Sequence, residues 1–413
     1  MRALRFAWLS LVRQPVRSLL GILGVAAVAA LLFDMLLLSR GLVISFGELL
    51  DRSGFDVRVL ATDAPPLTGP PLTGAAALVT DISALPEIEA VLQLRVHHAE
   101  IVTDGTSATE SGTERRAQSR HRQVDFIGAD PRVRSMWTVV EGRDLPDQSS
   151  SSSSLVINRQ LARRLGVAAG ASVSLRGQCG GETDARPPVT FTVVGIADFP
   201  FDTVTDRTAA ATLADADRLC GDESTDRAEM LLVRSRPGAG APAASAAISA
   251  AHPGLHVVTN EELVERFSRV EFAYFRQIST VLATITLFFG FLLIAVLLTV
   301  SVNQRLGEIA ALRAVGLSRS RVVAGVLWES VMLVGAGAIL ALPLGAALST
   351  WLDAILRALP GLPADLRFFV FEPRALVLYA AMLAIASVAA AAYPMRIVAV
   401  LPIAATLRRE VVS

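Results

Sequence analysis

Four stretches of this 413-residue chain are apolar for long enough to cross a bilayer, and they divide everything else into short connectors and one large insert. A spanning helix needs about 20 consecutive apolar residues. LLGILGVAAVAALLFDMLLLS occupies roughly 19–39, ISTVLATITLFFGFLLIAVLLTVSV lies within 277–302, VVAGVLWESVMLVGAGAILALPLGAALSTWL covers 322–352, and ALVLYAAMLAIASVAAAAYPM covers 375–395. With 52% hydrophobic and 18% charged residues, the chain is too apolar for an ordinary soluble domain. Arg2, Arg5, Arg13 and Arg17 precede the first stretch as they would a secretory signal. Its apolar run is longer than a signal core, however, and Ala27-Val28-Ala29 falls inside it, so a retained helix is expected.

Arginine placement sets the expected orientation. The segments before span one, between spans two and three, and after span four carry most of the short-loop arginines, among them Arg305, Arg313, Arg319, Arg321, Arg396, Arg408 and Arg409. The loop after span three balances Arg357 and Arg367 with Asp353, Asp365 and Glu372. Both termini and the 303–321 loop are therefore expected in the cytoplasm, and the long segment 40–276 outside. The resulting layout is an amphipathic helix at 1–17, spans at 18–39, 277–302, 322–352 and 375–396, an external domain at 40–276, an external loop at 353–374 and a cytoplasmic tail at 397–413.

The insert is long enough for one or two soluble domains. FDVRVL (55–60), VDFIGA (124–129), SLVIN (154–158), ASVSLRG (171–177), VTFTVVGIA (189–197) and MLLVRS (230–235) read as strands. They alternate with helical patterns near 77–85, 158–166, 212–220 and 241–252, which predicts an α+β domain. The proline-rich 64–74, the polar 103–122 and the serine run 148–154 read as loops. Cys179 and Cys220, the chain's two cysteines, both fall in this insert. An oxidising compartment would let them pair; the sequence leaves a disulfide and two free thiols both open.

Catalytic chemistry is hard to find. All 38 basic residues are arginine, so no Walker A loop with its phosphate-binding lysine exists, and ATP with Mg²⁺ would have to be bound and hydrolysed by a partner chain. Net charge is zero, which gives no reason to expect a nucleic-acid partner. There is no G-x-S-x-G elbow and no H-E-x-x-H. His252 and His256 are four residues apart, but Pro253-Gly254 between them argues against a helical metal face, so no metal, no catalytic residue and no cofactor in this chain are expected. Two acids fall within spans, where ionisable groups are costly. Asp34 lies about one turn from the expected outer end of span one, where its carboxylate would reach the interface. Glu329 lies about two turns into span three, where a role in helix contact or coupling is one reading. Gly325, Gly335, Gly337 and Gly345 would let span three approach other helices closely.

Between spans two and three, RLGEIAALRAVGLSRSRV reads as a short amphipathic helix from about Leu306 to Val315, with Ile309, Leu312 and Val315 at helical spacing. Gly316 suits a left-handed stop, and Ser318 suits the N-cap of the next helix. An ordinary charged connector and a rigid lever both fit these features. The run Glu308-Ile309-Ala310-Ala311-Leu312-Arg313-Ala314-Val315-Gly316 resembles the E-I-x-x-L-R-A-x-G motif of MacB/FtsX-type ABC transporter permeases. Further similarities are an N-terminal amphipathic helix with Leu4, Trp8, Leu11 and Val12 on one face, the turn Glu141-Gly142-Arg143, the segment VINRQLARRLGV, the strand FTVVGI, Glu329, and the ending with Pro402, Ala405, Leu407 and Arg408. The layout is nearest to stand-alone DevC/LolC-like permease subunits, without the ATPase domain fused in MacB.

The resemblance implies a dimer, of two copies or of paralogues, on a cytoplasmic ABC ATPase in an inner membrane. It implies ATPase-coupling roles for Glu308, Ile309, Leu312, Arg313 and Gly316. It also implies mechanotransmission, in which ATP-driven helix movement is used outside the membrane for export or for lipoprotein or lipid release. A periplasmic adaptor or lipoprotein and membrane lipid would be further partners. The alternative is an FtsX-like signalling module that activates a cell-wall hydrolase. The family's external region has a porter-like lobe interrupted by a β-rich one, which map onto about 54–126 with 226–262, and about 127–225.

Overall fold

The computed structural model describes residues 12–13, 15–64, 69–102, 122–147, 153–179, 187–220, 226–269, 273–304, 306–307, 309–310, 315, 318–357, 363, 366–371 and 373–400. Most of the loops expected at 103–122 and 148–154 lie outside the described residues. The chain divides into a helical unit (Met1–Ile44, Val270–Leu356, Arg367–Ser413) and a sheet unit (Ser45–Arg269, Arg357–Leu366).

Helix α1 runs Pro15–Arg52, much further than the 19–39 stretch that hydropathy alone marks. Its continuation, LVISFGELLDR, mixes apolar with polar residues but contains no proline, and its one glycine does not end it. The sheet unit follows with β1 (Val57–Leu60), β2 (Leu72–Thr73), α2 (Ala75–Ser83), β3 (Ile88–Val102), β4 (Gln123–Ala129), β5 (Thr138–Gly142), β6 (Ser154–Asn158), α3 (Arg159–Leu165), β7 (Ser172–Gln178), β8 (Val189–Asp198), β9 (Thr208–Thr212), α4 (Leu213–Cys220), β10 (Arg227–Ala228), β11 (Met230–Ser235), α5 (Gly240–Ala251), β12 (His256–Thr259) and α6 (Asn260–Arg269).

The main sheet has the order β12-β1-β11-β3-β4-β9-β6-β8-β5, with β7 bridging β3 and β8. Pairing is antiparallel except for β4 with β9 and β6 with β8. The two lobes expected from the resemblance share this sheet. The reason is the length of β3, whose first half pairs with β11 (Leu92↔Leu232) and whose second half pairs with β7 (Ile101↔Leu175). Separate apolar cores flank the sheet. One gathers Phe126, Leu155, Leu161 and Phe191, a second Phe55, Leu94, Trp137 and Phe199, and a third Val57, Ile82, Ile88 and Ile248.

Local chemistry explains the boundaries. Asn158 caps α3 by accepting from the Leu161 amide at 2.8 Å, and Gly166 at φ 65° closes it in the left-handed region. The strands β5 and β8 pair with a bulge between Val139 and Glu141, and just beyond it Gly142 pairs with Gly195. Gly142 sits at φ 81°, and a Cβ there would lie 2.4 Å from the Val194 carbonyl oxygen. A Cβ on Gly195 would lie 2.3 Å from the Arg143 carbonyl oxygen. Two of the motifs that carry the family resemblance are thus glycine requirements of one strand crossing.

The helical unit is completed by α7 (Ala273–Gln304), α8 (Arg319–Arg357) and α9 (Pro373–Val400). With α1 these are the four helices long and apolar enough to cross a membrane. Their core contains Val25, Phe33, Ile294, Leu298, Val334, Tyr379 and Leu383. Gly337 and Gly345 of α8 both face α1: a Cβ on Gly337 would lie 2.6 Å from Val25 Cγ1, and one on Gly345 3.0 Å from Phe33 Cδ1. Gly335 has no atom of the described residues within 4 Å of its Cβ position.

Candidate functional site

Segment 303–321 links α7 to α8. Glu308, Leu312, Arg313 and Gly316 lie outside the described residues, as do Leu4, Trp8, Leu11, Pro402, Ala405, Leu407 and Arg408. Ile309 and Ala310 are helical and buried, at 8% and 0% exposure. Ile309 forms a small apolar cluster with Val302 of α7, against which Leu306, the α8 residues Val322 and Val323, and Met395 of α9 pack. The segment is therefore seated in a cluster to which three of the four long helices contribute. Val315 stands exposed in a turn, and Ser318 immediately precedes α8, its carbonyl accepting from the Arg321 amide at 3.1 Å. That is the N-terminal position expected of it.

Polar contacts tie the same helices together deeper in the bundle. Ser301 of α7 donates its hydroxyl to Glu329 Oε1 of α8 at 2.9 Å. Ser330 and Ser387 join α8 to α9 through their hydroxyls at 2.9 Å, and the Tyr379 hydroxyl donates to the Ala338 carbonyl at 3.2 Å. Sequence reading singled out Glu329 and missed its serine partner and the Ser330–Ser387 pair. Spacing along one helix gives no sign of which serine a neighbouring helix will meet. Asp34 requires a correction. Asp34 lies near the middle of α1, and its carboxylate is buried instead of reaching outward. It is fully buried, neither oxygen has a hydrogen-bond partner among the described residues, and it lies against the backbone of Gly345.

In the sheet unit, the last turn of α1 is held by a buried network. Asn260, at the start of α6, donates through Nδ2 to Asp51 Oδ1 at 3.0 Å and to the Phe55 carbonyl at 3.1 Å. Its Oδ1 accepts from Arg58. Burial pulls the Arg58 guanidinium down to about 10, with Asp51 and Asp56 acting in the opposite direction. Cys179 and Cys220 are bonded as a disulfide with Cα atoms 5.5 Å apart. A ring nitrogen of His97 lies within 4.8 Å of both sulfurs. A disulfide leaves no thiolates for a metal, and burial with the nearby Arg95 charge holds His97 below its usual value. His256 instead pairs with Asp63 at 3.0 Å, and His98 with Asp125 at 2.9 Å.

Two family descriptions match the chain, the MacB-like periplasmic core domain over residues 18–251 and the FtsX-like permease C-terminal domain over 280–403. The chain belongs to the MacB/FtsX-type family of ABC transporter permeases. MacB/FtsX-type permeases are multi-pass membrane components of ABC transporters, and membership implies an ATPase in a separate subunit and a dimeric assembly. Similar solved structures include the periplasmic region of MacB from Actinobacillus actinomycetemcomitans, at 9% identity and TM-score 0.37, over 51% of this chain and 92% of that one. The extracellular domain of the noncanonic ABC-type transporter YknZ from Gram-positive bacteria is similar at 12% identity and TM-score 0.32, over 49% and 98%. No curated protein matches. Four apolar helices with a large α+β domain between the first two are the layout that the MacB/FtsX resemblance implies.

Proposed function

We propose that this chain is the membrane subunit of an inner-membrane ABC complex in which a separate ATPase, binding ATP and Mg²⁺, drives the external domain through the 303–321 segment. Both termini and that segment face the cytoplasm in this reading, as the arginine distribution favours. Work is delivered outside the bilayer, in export or in lipoprotein or lipid release, with a periplasmic adaptor or lipoprotein as a further partner. The observation that carries it is the seat of Ile309. A push on this segment bears at once on α7, α8 and α9, because the cluster that holds Ile309 is built with side chains from all three. A loosely attached connector would leave such a push to dissipate. Glu308, Leu312, Arg313 and Gly316 complete the coupling surface in this proposal, and Glu329 with Ser301 links α7 to α8 above it.

The test is purification of the full chain from gently solubilised membranes, identification of the chains that accompany it, and assay of the reconstituted complex. A companion bearing a Walker A loop is expected. Gly316→Val should insert normally yet lose at least about tenfold of the coupled export or release while ATP hydrolysis continues. A properly inserted variant with unchanged coupling, or a chain that never accompanies an ATPase, would overturn the reading.

A further inference from the structure

The sheet unit contains a cavity of about 520 Å³ that none of the transmission argument uses. This lies within the range of small-molecule sites. Its apolar wall is formed by Leu94, Ile127 and Leu232 from three neighbouring strands, and by Phe199. Phe46 and Phe267, with ring centroids 4.8 Å apart, form another part of the lining. Its polar lining comprises Asp125, Asp202, Asp206 and Glu229 with Ser53, Arg58, His98 and Thr208, and His98 pairs with Asp125 at 2.9 Å.

These carboxylates are held in place. Asp202 accepts from the Thr208 hydroxyl at 2.6 Å and from Asn158 Nδ2 at 2.5 Å. Asp206 accepts from the Thr203 amide at 2.9 Å, and Glu229 from the Val96 amide at 2.8 Å. Positive charge nearby is committed elsewhere. Arg58, also in the lining, is bound to Asn260, and Arg95 is paired with Asp217. Arg207 donates to the Gln123 carbonyl at 3.1 Å, and its charge acts on Asp125 and Asp206. Asp202 has no ion pair among the described residues, and both Asp206 and Asp125 repel its charge. One more positive charge at this end would relieve that repulsion. A bare metal ion fits poorly, since among the described residues these carboxylates do not converge as three ligand atoms. A phospholipid fits poorly too, since its phosphate would face the acids.

We propose that this cavity binds an amphipathic organic cation, its apolar body against the Leu94, Ile127, Leu232 and Phe199 wall and its charge beside Asp125, Asp202 and Asp206. The proposal does not depend on the transmission reading and holds whatever the complex does with the energy of ATP.

Tetraphenylphosphonium is a suitable probe, with neutral triphenylphosphine oxide as its uncharged counterpart. Equilibrium dialysis would compare the full chain in zwitterionic lipid nanodiscs with matched empty discs. Saturable retention of the cation above the empty-disc level is expected, with the neutral compound held more weakly. Asp202→Asn keeps the size of the side chain and one of its two accepting oxygens, and should weaken the cation about tenfold, leaving the neutral compound unchanged. Met136→Trp, which adds bulk to a partly buried lining position, should weaken both. If Met136→Trp does not fold, the isosteric Asp202→Asn still decides. No retention above empty discs, equal retention of the two compounds, or unchanged cation binding by Asp202→Asn would each overturn the proposal.

Discussion

Glycines packed between the long helices and three glycines of the sheet, Gly142, Gly177 and Gly195, meet different kinds of neighbour. Between the long helices, Gly21, Gly24, Gly290 and Gly337 each bring a backbone against a neighbour's side chain: Leu333, Leu293, Val28 and Val25 respectively. In the sheet unit, Gly142, Gly177 and Gly195 bring backbone against backbone, with carbonyl oxygens 2.4, 2.5 and 2.3 Å from where a Cβ would sit. A side chain can change rotamer and let helices slide, whereas a backbone carbonyl held in a strand or helix cannot yield without disturbing that element. The sheet is thus built to keep its shape. The contacts between the long helices, which a transmission role would require to move, can repack, whereas Gly41 of α1 is fixed against backbone, its Cβ position 2.1 Å from the Phe368 carbonyl oxygen.

That contrast can be broken most sharply at Gly195. Gly195→Ala should cost more than about 3 kcal/mol, because strand β8 must part from Arg143. Hydrogen exchange across 45–269 in the full chain would register the opening, and unchanged protection would count against the backbone account. Gly337→Ala should cost less, about 1–3 kcal/mol, since the obstructing atoms belong mainly to Val25. A thermal melt in detergent would read it, and a loss larger than at Gly195 would reverse the comparison.

A smaller effect sharpens the sheet side through pH. Burial, reinforced by Asp206 and Asp125, lifts the Asp202 carboxyl from 3.8 to about 6. Its folded value is raised, so the stability contributed by the protonated form is fully present below pH 3.8 and lost as pH rises through 6. Asp202→Asn should therefore stabilise the chain by about 1–2 kcal/mol at pH 8 after allowance for solvent, and by little near pH 3.5. Equal effects at both pH values would point to lost hydrogen bonds rather than relieved charge.

The bundle was legible because its signal is length: an apolar run long enough to span has few other readings. Helix ends were less legible, and α1 shows why. Residues 40–52 alternate apolar with polar, a pattern that fits an emerging helix and a loop equally well until Asp51 is seen bonded to Asn260. Four helical patterns in the insert emerged close to their expected places, and one of them, α3, is bounded by the caps Asn158 and Gly166. The strand β3 escaped the reading. Its Gln93, Arg95, His97 and His98 look like a solvated stretch, yet Arg95 is buried through its pairing with Asp217 and its bond to the Arg227 carbonyl. The candidate site was half legible. Periodicity marked Ile309 and hydropathy marked Glu329, but the partners of both come from other helices, which local patterns do not encode.

The fifteen-residue strand β3 also limits how this molecule can be recombined. It is simultaneously the edge on which β11 builds one half of the sheet and the edge on which β7 builds the other. A chimera cut at 126/127 and 225/226 would supply β7, β8 and β9 from a relative but leave β3 behind, so the graft would meet a foreign strand along both of its borders. Exchanging 88–220 as one block moves β3 with the partners β4 and β7, and within the main sheet leaves the β3–β11 ladder as the new seam.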